Sequence, residues 1–183
     1  MSGRVTFINH ATALIQIDGT NILTDPVYSF SISYFLPRFK KPGIPLKELP
    51  PIDIILISHD HYDHLNLRTL RRLQRRHQAR IILSKGNGKY AARVGFEKID
   101  ELDWGDSITD DGVKITAVPA RHFSGRKPWG RNGSVYAGFV IEKNGKSVYF
   151  AGDTAYDNFF ADLGKRFSLD VALLPIGAYK PND

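Results

Sequence analysis

The chain has 183 residues, 42% of them apolar and 24% charged, which suits one soluble globular domain with a single sizeable core and contains no apolar run long enough to span a bilayer. It has no cysteine, so disulfides, thiolate metal ligands and a cysteine nucleophile are excluded. Lys and Arg outnumber Asp and Glu by 25 to 19, a net charge of +6, which points to an anionic partner or serves solubility alone.

The first residues, 1–9, lack the apolar core of a signal peptide, so a cytoplasmic location is expected, with peripheral membrane contact left open. Residues 4–8, 14–17 and 21–24 read as strands, and Asp18-Gly19 as the hairpin turn between the last two. His10 follows the first strand, either as a hydrogen-bond partner behind a metal ligand or as an ordinary turn histidine. Residues 25–51 form a long proline-rich segment that carries Tyr28, Phe30, Tyr34, Phe35 and Phe39 beside Arg38, Lys40 and Lys41. Such a segment is either a binding loop for an anionic substrate with an apolar tail, or a loop that packs its own aromatics.

The apolar run 54–57 reads as a buried strand that feeds Ser58-His59-Asp60-His61-Tyr62-Asp63-His64. Three of the six histidines fall in this one stretch. His59, His61, Asp63 and His64 are nitrogen and oxygen donors of the kind that borderline divalent metals take. In extended backbone, residues two apart point the same way, so His59 and His61 can converge on one point.

Residues 65–80 read as a helix with an apolar stripe of Leu67, Leu70 and Leu73 and a cationic face of Arg68, Arg71, Arg72, Arg75 and Arg76, expected to be solvated. His77 is expected to be exposed and without a role. A short strand at 81–83 and a short helix at 90–94 follow, then strands at 113–118, 134–142 and 147–151, a helix at 155–167 and a buried strand at 171–174. Asp111-Gly112 and Asn144-Gly145 mark hairpin turns. Lys85-Gly86-Asn87-Gly88-Lys89 lacks the full phosphate-loop pattern. His122 and Asp153 each end an apolar strand, as His59 does, and three strand ends that supply His or Asp form a site-building pattern. Ser58 and Ser124 sit in no nucleophile-elbow pattern, so serine catalysis is not expected.

His59-Asp60-His61-Tyr62-Asp63-His64 resembles the His-x-His-x-Asp-His signature of the metallo-β-lactamase superfamily. Further stretches resemble its N-acyl-phosphatidylethanolamine phospholipase D-like branch: Leu23-Thr24-Asp25-Pro26, Pro119-Ala120-Arg121-His122, Tyr149-Phe150-Ala151-Gly152-Asp153-Thr154 and Leu174-Pro175-Ile176-Gly177. The resemblance implies an α/β fold, the αββα sandwich, with two divalent metal ions at one edge. It assigns His59, His61 and His122 to the first ion, Asp63 and His64 to the second, and Asp153 to both. Zinc is the default, with manganese or iron open. Asp25 would orient a ligand histidine. Asp63 and His64 would stand nearest the chemistry, and Arg121, Arg126, Arg131 and Tyr179 are substrate-binding candidates. Two ions ~3.5–4 Å apart activate a water and clamp the attacked phosphorus or carbonyl carbon.

The implied function is a phosphodiesterase of N-acyl phosphatidylethanolamine-like phospholipids. The alternatives are a lactonase or hydrolase of small phosphorylated metabolites, and a metal-binding module without turnover. Nucleic acid is not the expected partner. The family pattern continues past Tyr179 with two more histidines, so the 183 residues are expected to be one domain incomplete at its C-terminal end, with a weakened second metal site and an exposed last strand. A homo-oligomer that completes the site is the other possibility.

Overall fold

The computed structural model describes residues 3–30, 40–123, 125 and 134–177. Six strands form the first sheet: β1 (Gly3–Asn9), β2 (Thr12–Ile17), β3 (Thr20–Thr24), β4 (Ile54–Ile57), β5 (Arg80–Ser84) and β6 (Ile99–Leu102), in chain order across the sheet. β1, β2 and β3 pair antiparallel, and β3 through β6 pair parallel. The second sheet runs β11-β10-β9-β8-β7, built from β7 (Ser107–Asp110), β8 (Val113–Val118), β9 (Gly138–Lys143), β10 (Lys146–Phe150) and β11 (Val171–Leu173). Only β10 and β11 are parallel in it.

Period-two alternation divides the apolar residues between layers. In β4, Ile54 and Leu56 face the second sheet, while Ile55 and Ile57 face the helices. In β8, β9 and β10, Ile115, Ala117, Phe139, Ile141, Val148 and Phe150 point inward to meet them. Val118, Val140 and Tyr149 point outward against α3 (Phe159–Arg166). Helices α1 (Leu67–His77) and α2 (Gly88–Arg93) cover the outer face of the first sheet, with Leu70, Leu73 and Ala91 fully buried there. The layers are therefore helix, sheet, sheet, helix, as the sequence implied.

Several boundaries differ from the sequence expectation. The helix expected at 65–80 is α1, Leu67–His77. Asn66 caps its start by accepting from the Thr69 amide, and Gln78 ends it in the left-handed region at φ 50°, which frees Arg80 to begin β5. The helix expected at 155–167 begins only at Phe159, because residues before it bond elsewhere: the Ala155 amide donates to the Arg121 carbonyl. The strand expected at 134–142 is β9, Gly138–Lys143. Val135 and Ala137 instead donate to the carbonyls of Lys85 and Ser58, tying the approach to β9 to the ends of β5 and β4. β6 and β7 are short, polar edge strands without clear alternation, and sequence patterning does not find them. β11 is not buried: Val171 is 39% exposed and Leu174 and Ile176 more so, at the edge of the second sheet. His77 is half-buried, and its Nδ1 accepts from the Ile52 amide at 3.3 Å.

The flanks of the 25–51 segment belong to the core. Tyr28, Ile44, Leu46 and Leu49 pack with the helix-side cluster, which favours the self-packing reading for those residues. Tyr34, Phe35, Arg38, Phe39, Ser124, Arg126, Arg131 and Tyr179 lie outside the described residues.

Candidate metal centre

Parallel strands leave their carboxyl ends on one rim, and there the donors gather. Asp25 follows β3, residues 58–64 follow β4, His122 comes after β8, Asp153 after β10, and His10 sits in the β1–β2 turn. His10 and Asp25 adopt left-handed backbone at φ 46° and 33°. Two buried threonines that sequence reasoning does not single out hold this corner. Thr12 donates to the Asp25 carbonyl at 2.8 Å, and Thr24 donates to the Ala11 carbonyl at 2.9 Å.

The His59 Nε2, His61 Nδ1 and His122 Nε2 atoms face one another. His61 Nδ1 is 2.9 Å from His59 Nε2 and 3.2 Å from His122 Nε2. Two nitrogens at ~2.05 Å from a tetrahedral zinc stand about 3.3 Å apart, so the three are nearly spaced as ligands of one ion. Burial holds the His59 imidazole well below its ordinary pKa, and the neighbouring histidines push the same way. Burial also lowers His61 and His122. All three are thus held neutral, the form that binds metal.

Hydrogen bonds behind His59 and His64 set the tautomers of those two rings. The buried Asp25 carboxylate accepts from the Ser58 amide (2.8 Å), the Ser58 hydroxyl (2.5 Å) and His64 Nδ1 (2.7 Å). Ser58 has one hydroxyl proton and gives it to Asp25, so its oxygen accepts from His59 Nδ1–H at 2.9 Å. His59 Nε2 is then left with a free lone pair. Ser58, not expected to be a nucleophile, is placed as an orienter of His59, a role that sequence reasoning does not assign it.

His64 Nε2 lies 3.2 Å from Asp153 Oδ2 but off the line a hydrogen bond needs. It is a buried polar atom with no hydrogen-bond partner among the described residues. Burial alone would lower the His64 pKa, but Asp153 and Asp25 outweigh it and raise the pKa to about 10. Asp153 is held near 2: burial works against ionisation, and His64, with His59 and His122 beyond it, more than compensates. Asp63 is also held near 2, with the His10 hydrogen bond and the His64 charge overcoming burial. A divalent cation between Asp63, His64 and Asp153 would replace the His64 proton and satisfy Nε2, so these donors fit a metal.

His10 is not a bystander of the turn. Its Nε2 is 3.1 Å from Asp63 Oδ2, its ring is 5.0 Å from that of His64, and His10, Asp63 and His64 together could hold an ion. The fold brings residue 10 across 53 positions to Asp63.

Gly152 sets the approach of Asp153. At φ +61° a Cβ there would sit 2.5 Å from Ser58 Cβ, so only glycine lets the end of β10 close on the end of β4. Thr154 accepts from the Arg121 amide, and Asp60 accepts from the Gly125 amide, tying the His122 loop to both neighbours. The Arg121 guanidinium is exposed and 3.5 Å from Asp157. Phe123 lies against the rings of His61 and His122 at 4.7 and 4.6 Å.

Residues 20–183 match the family model described as the beta-lactamase superfamily domain. The chain belongs to the metallo-β-lactamase superfamily. An uncharacterised protein of Mycobacterium tuberculosis (strain H37Rv) is 39% identical over 182 residues, covering 96% of this chain and 49% of that protein. The N-acyl-phosphatidylethanolamine-hydrolyzing phospholipase D 1 of Caenorhabditis elegans is 31% identical over 192 residues, covering 96% of this chain and 54% of that one. The chain thus spans about half the length of these curated relatives. Among solved structures, Igni18, a metallo hydrolase of Ignicoccus hospitalis, superposes with a TM-score of 0.76 at 26% identity, over 97% of this chain and 72% of that one.

Proposed function

We propose that this rim is the metal centre of a hydrolase that cleaves the phosphodiester of N-acyl phosphatidylethanolamine-like phospholipids. The observation that carries the metal is the convergence of His59 Nε2, His61 Nδ1 and His122 Nε2 within 3.2 Å of their neighbours. The similarity to the C. elegans phospholipase D supports the substrate. In this reading His59, His61 and His122 hold one ion, Asp63 and His64 hold a second, and Asp153 stands between them. Zinc suits a set of imidazoles and carboxylates. When bound, such ions lower the pKa of a water and neutralise charge on the attacked phosphoryl group.

The chain's own residues supply the rest. Asp63, kept ionised and steadied by His10, is the carboxylate that accepts a hydrogen bond from a water and orients it. Asp25 and Ser58 hold the imidazoles of His64 and His59 with their Nε2 atoms toward the site. Arg121, exposed beside His122 and only loosely paired, is available to a substrate phosphate.

The test is mass spectrometry of the metal-loaded protein on N-acyl phosphatidylethanolamine, with metal content read in parallel by plasma mass spectrometry. Release of phosphatidic acid, abolished in H59A/H61A together with metal, is expected. Bound metal with turnover of sugar-phosphate lactones and no phosphatidic acid would move the substrate to small phosphorylated metabolites.

A further inference from the structure

The outer face of α1 carries charge that nothing in the described structure answers. Arg68, Arg71, Arg72, Arg75 and Arg76 are all exposed and fall at i, i+3, i+4, i+7 and i+8, one continuous stripe along the helix. The helix contains no acidic residue, and among the described residues none of the five lies within ion-pair distance of a carboxylate. Arg76 instead donates to the Lys47 carbonyl at 2.8 Å. Arg68 and Arg72, Arg71 and Arg75, and Arg72 and Arg76 are like-charge i, i+4 pairs, which destabilise a helix. Arg68 also sits in the first turn, where the macrodipole opposes a cation. An ordinary solvated face intersperses acids among its bases; this one does not.

We propose that α1 is a docking face for an anionic bilayer surface. The helix is anchored to the body through the fully buried Leu70 and Leu73, so its cationic stripe is a fixed convex ridge rather than a groove. Beside its first turn the Tyr28 amide donates to Thr69 Oγ1, and the Asn66 side chain donates to Ser29 Oγ. The next residue in the chain after Ser29 is Phe30, 82% exposed. Guanidinium groups on flexible stems suit lipid phosphates, and an exposed aromatic ring beside them suits the headgroup boundary. A single-stranded nucleic acid would ask for stacking rings along the ridge, and α1 has none. α1 begins just after His64, so docking brings the metal rim close to the surface. The proposal does not depend on what the rim hydrolyses.

The test is flotation of the whole protein with vesicles of phosphatidylcholine, alone or with about a third phosphatidylglycerol, at low and high salt. Binding only to the anionic vesicles, reversed by salt, is expected. R71E/R75E, which should keep its helical circular dichroism because it makes Arg68 and residue 71, and Arg72 and residue 75, opposite-charge i, i+3 pairs, is expected to lose more than ~10-fold in vesicle partitioning. K114E/K165E makes the same charge change on β8 and α3 and is expected to bind as the parent does. Equal losses in the two variants, no binding to anionic vesicles, or binding to a duplex oligonucleotide in their place would each overturn it.

Discussion

Asp25 takes three hydrogen bonds on one buried carboxylate, from the Ser58 amide, the Ser58 hydroxyl and His64 Nδ1. An amide in its place turns one acceptor into a donor that faces another donor. Asp25→Asn is therefore expected to lower unfolding free energy by ~3–5 kcal/mol in urea titration. It should also weaken metal affinity by about 10- to 100-fold in a competition assay. His64 makes a separate prediction. Its pKa in the metal-free protein is raised to about 10 from an ordinary 6.5, so the stability it contributes is complete below 6.5 and lost as pH rises through 10. The metal-free protein should melt at falling temperature from pH 7 to above pH 10, and His64→Gln should flatten that slope. Metal that occupies Nε2 displaces this proton, so calorimetry at pH 8 in buffers of different ionisation enthalpy should show about one proton released per ion at this cluster.

At the scale of elements, two glycines separate a positional need from a propensity. Gly152 joins β10 to Asp153 where a Cβ would strike Ser58 at 2.5 Å. Gly152→Ala should lower both the melting temperature and the metal content of the purified protein, because Asp153 must back away from His64. Gly164 lies inside α3, and a Cβ added there would meet nothing within 4 Å. Gly164→Ala should stabilise by about 0.5–1 kcal/mol with metal content unchanged. A matched pair with the same sign would contradict this reading of the β10 end. Element ends were legible in the sequence where a local device sets them. The Asp18-Gly19 and Asn144-Gly145 turns join paired strands. They were illegible where a distant partner sets them, as with Ala155 and Ala137, whose amides go to Arg121 and Ser58.

For the molecule as a whole, the layer between the two sheets is one of two large buried clusters, beside the one under α1 and α2. Leu56 is fully buried there among Ile54, Ile82, Phe139 and Phe150. Leu56→Ala is expected to cost ~2–5 kcal/mol, read as a lower urea midpoint at unchanged slope. Leu56 also sits two residues before Ser58, and its carbonyl accepts from the Asp25 amide. A cavity there is thus expected to loosen the metal rim as well. Among the described residues no helix is long and apolar enough to cross a membrane.

By itself the sequence determined what alternation and local chemistry encode: the buried strand at 54–57, the donors of residues 59–64, and the polar residues that end β8 and β10. Which of those donors meet was a tertiary decision. His61 reaches His122 across 61 positions, His10 reaches Asp63 across 53, and Asp25 reaches His64 across 39, because the strand ends that carry them converge on one rim whatever the intervening chain contains. Tertiary structure also made Ser58 an orienter and fixed Gly152 as glycine, since both follow from the closeness of two strand ends far apart in the chain. Edge strands β6 and β7 escape sequence patterning for the same reason: with few apolar residues of their own, they are strands because β5 and β8 offer them hydrogen bonds.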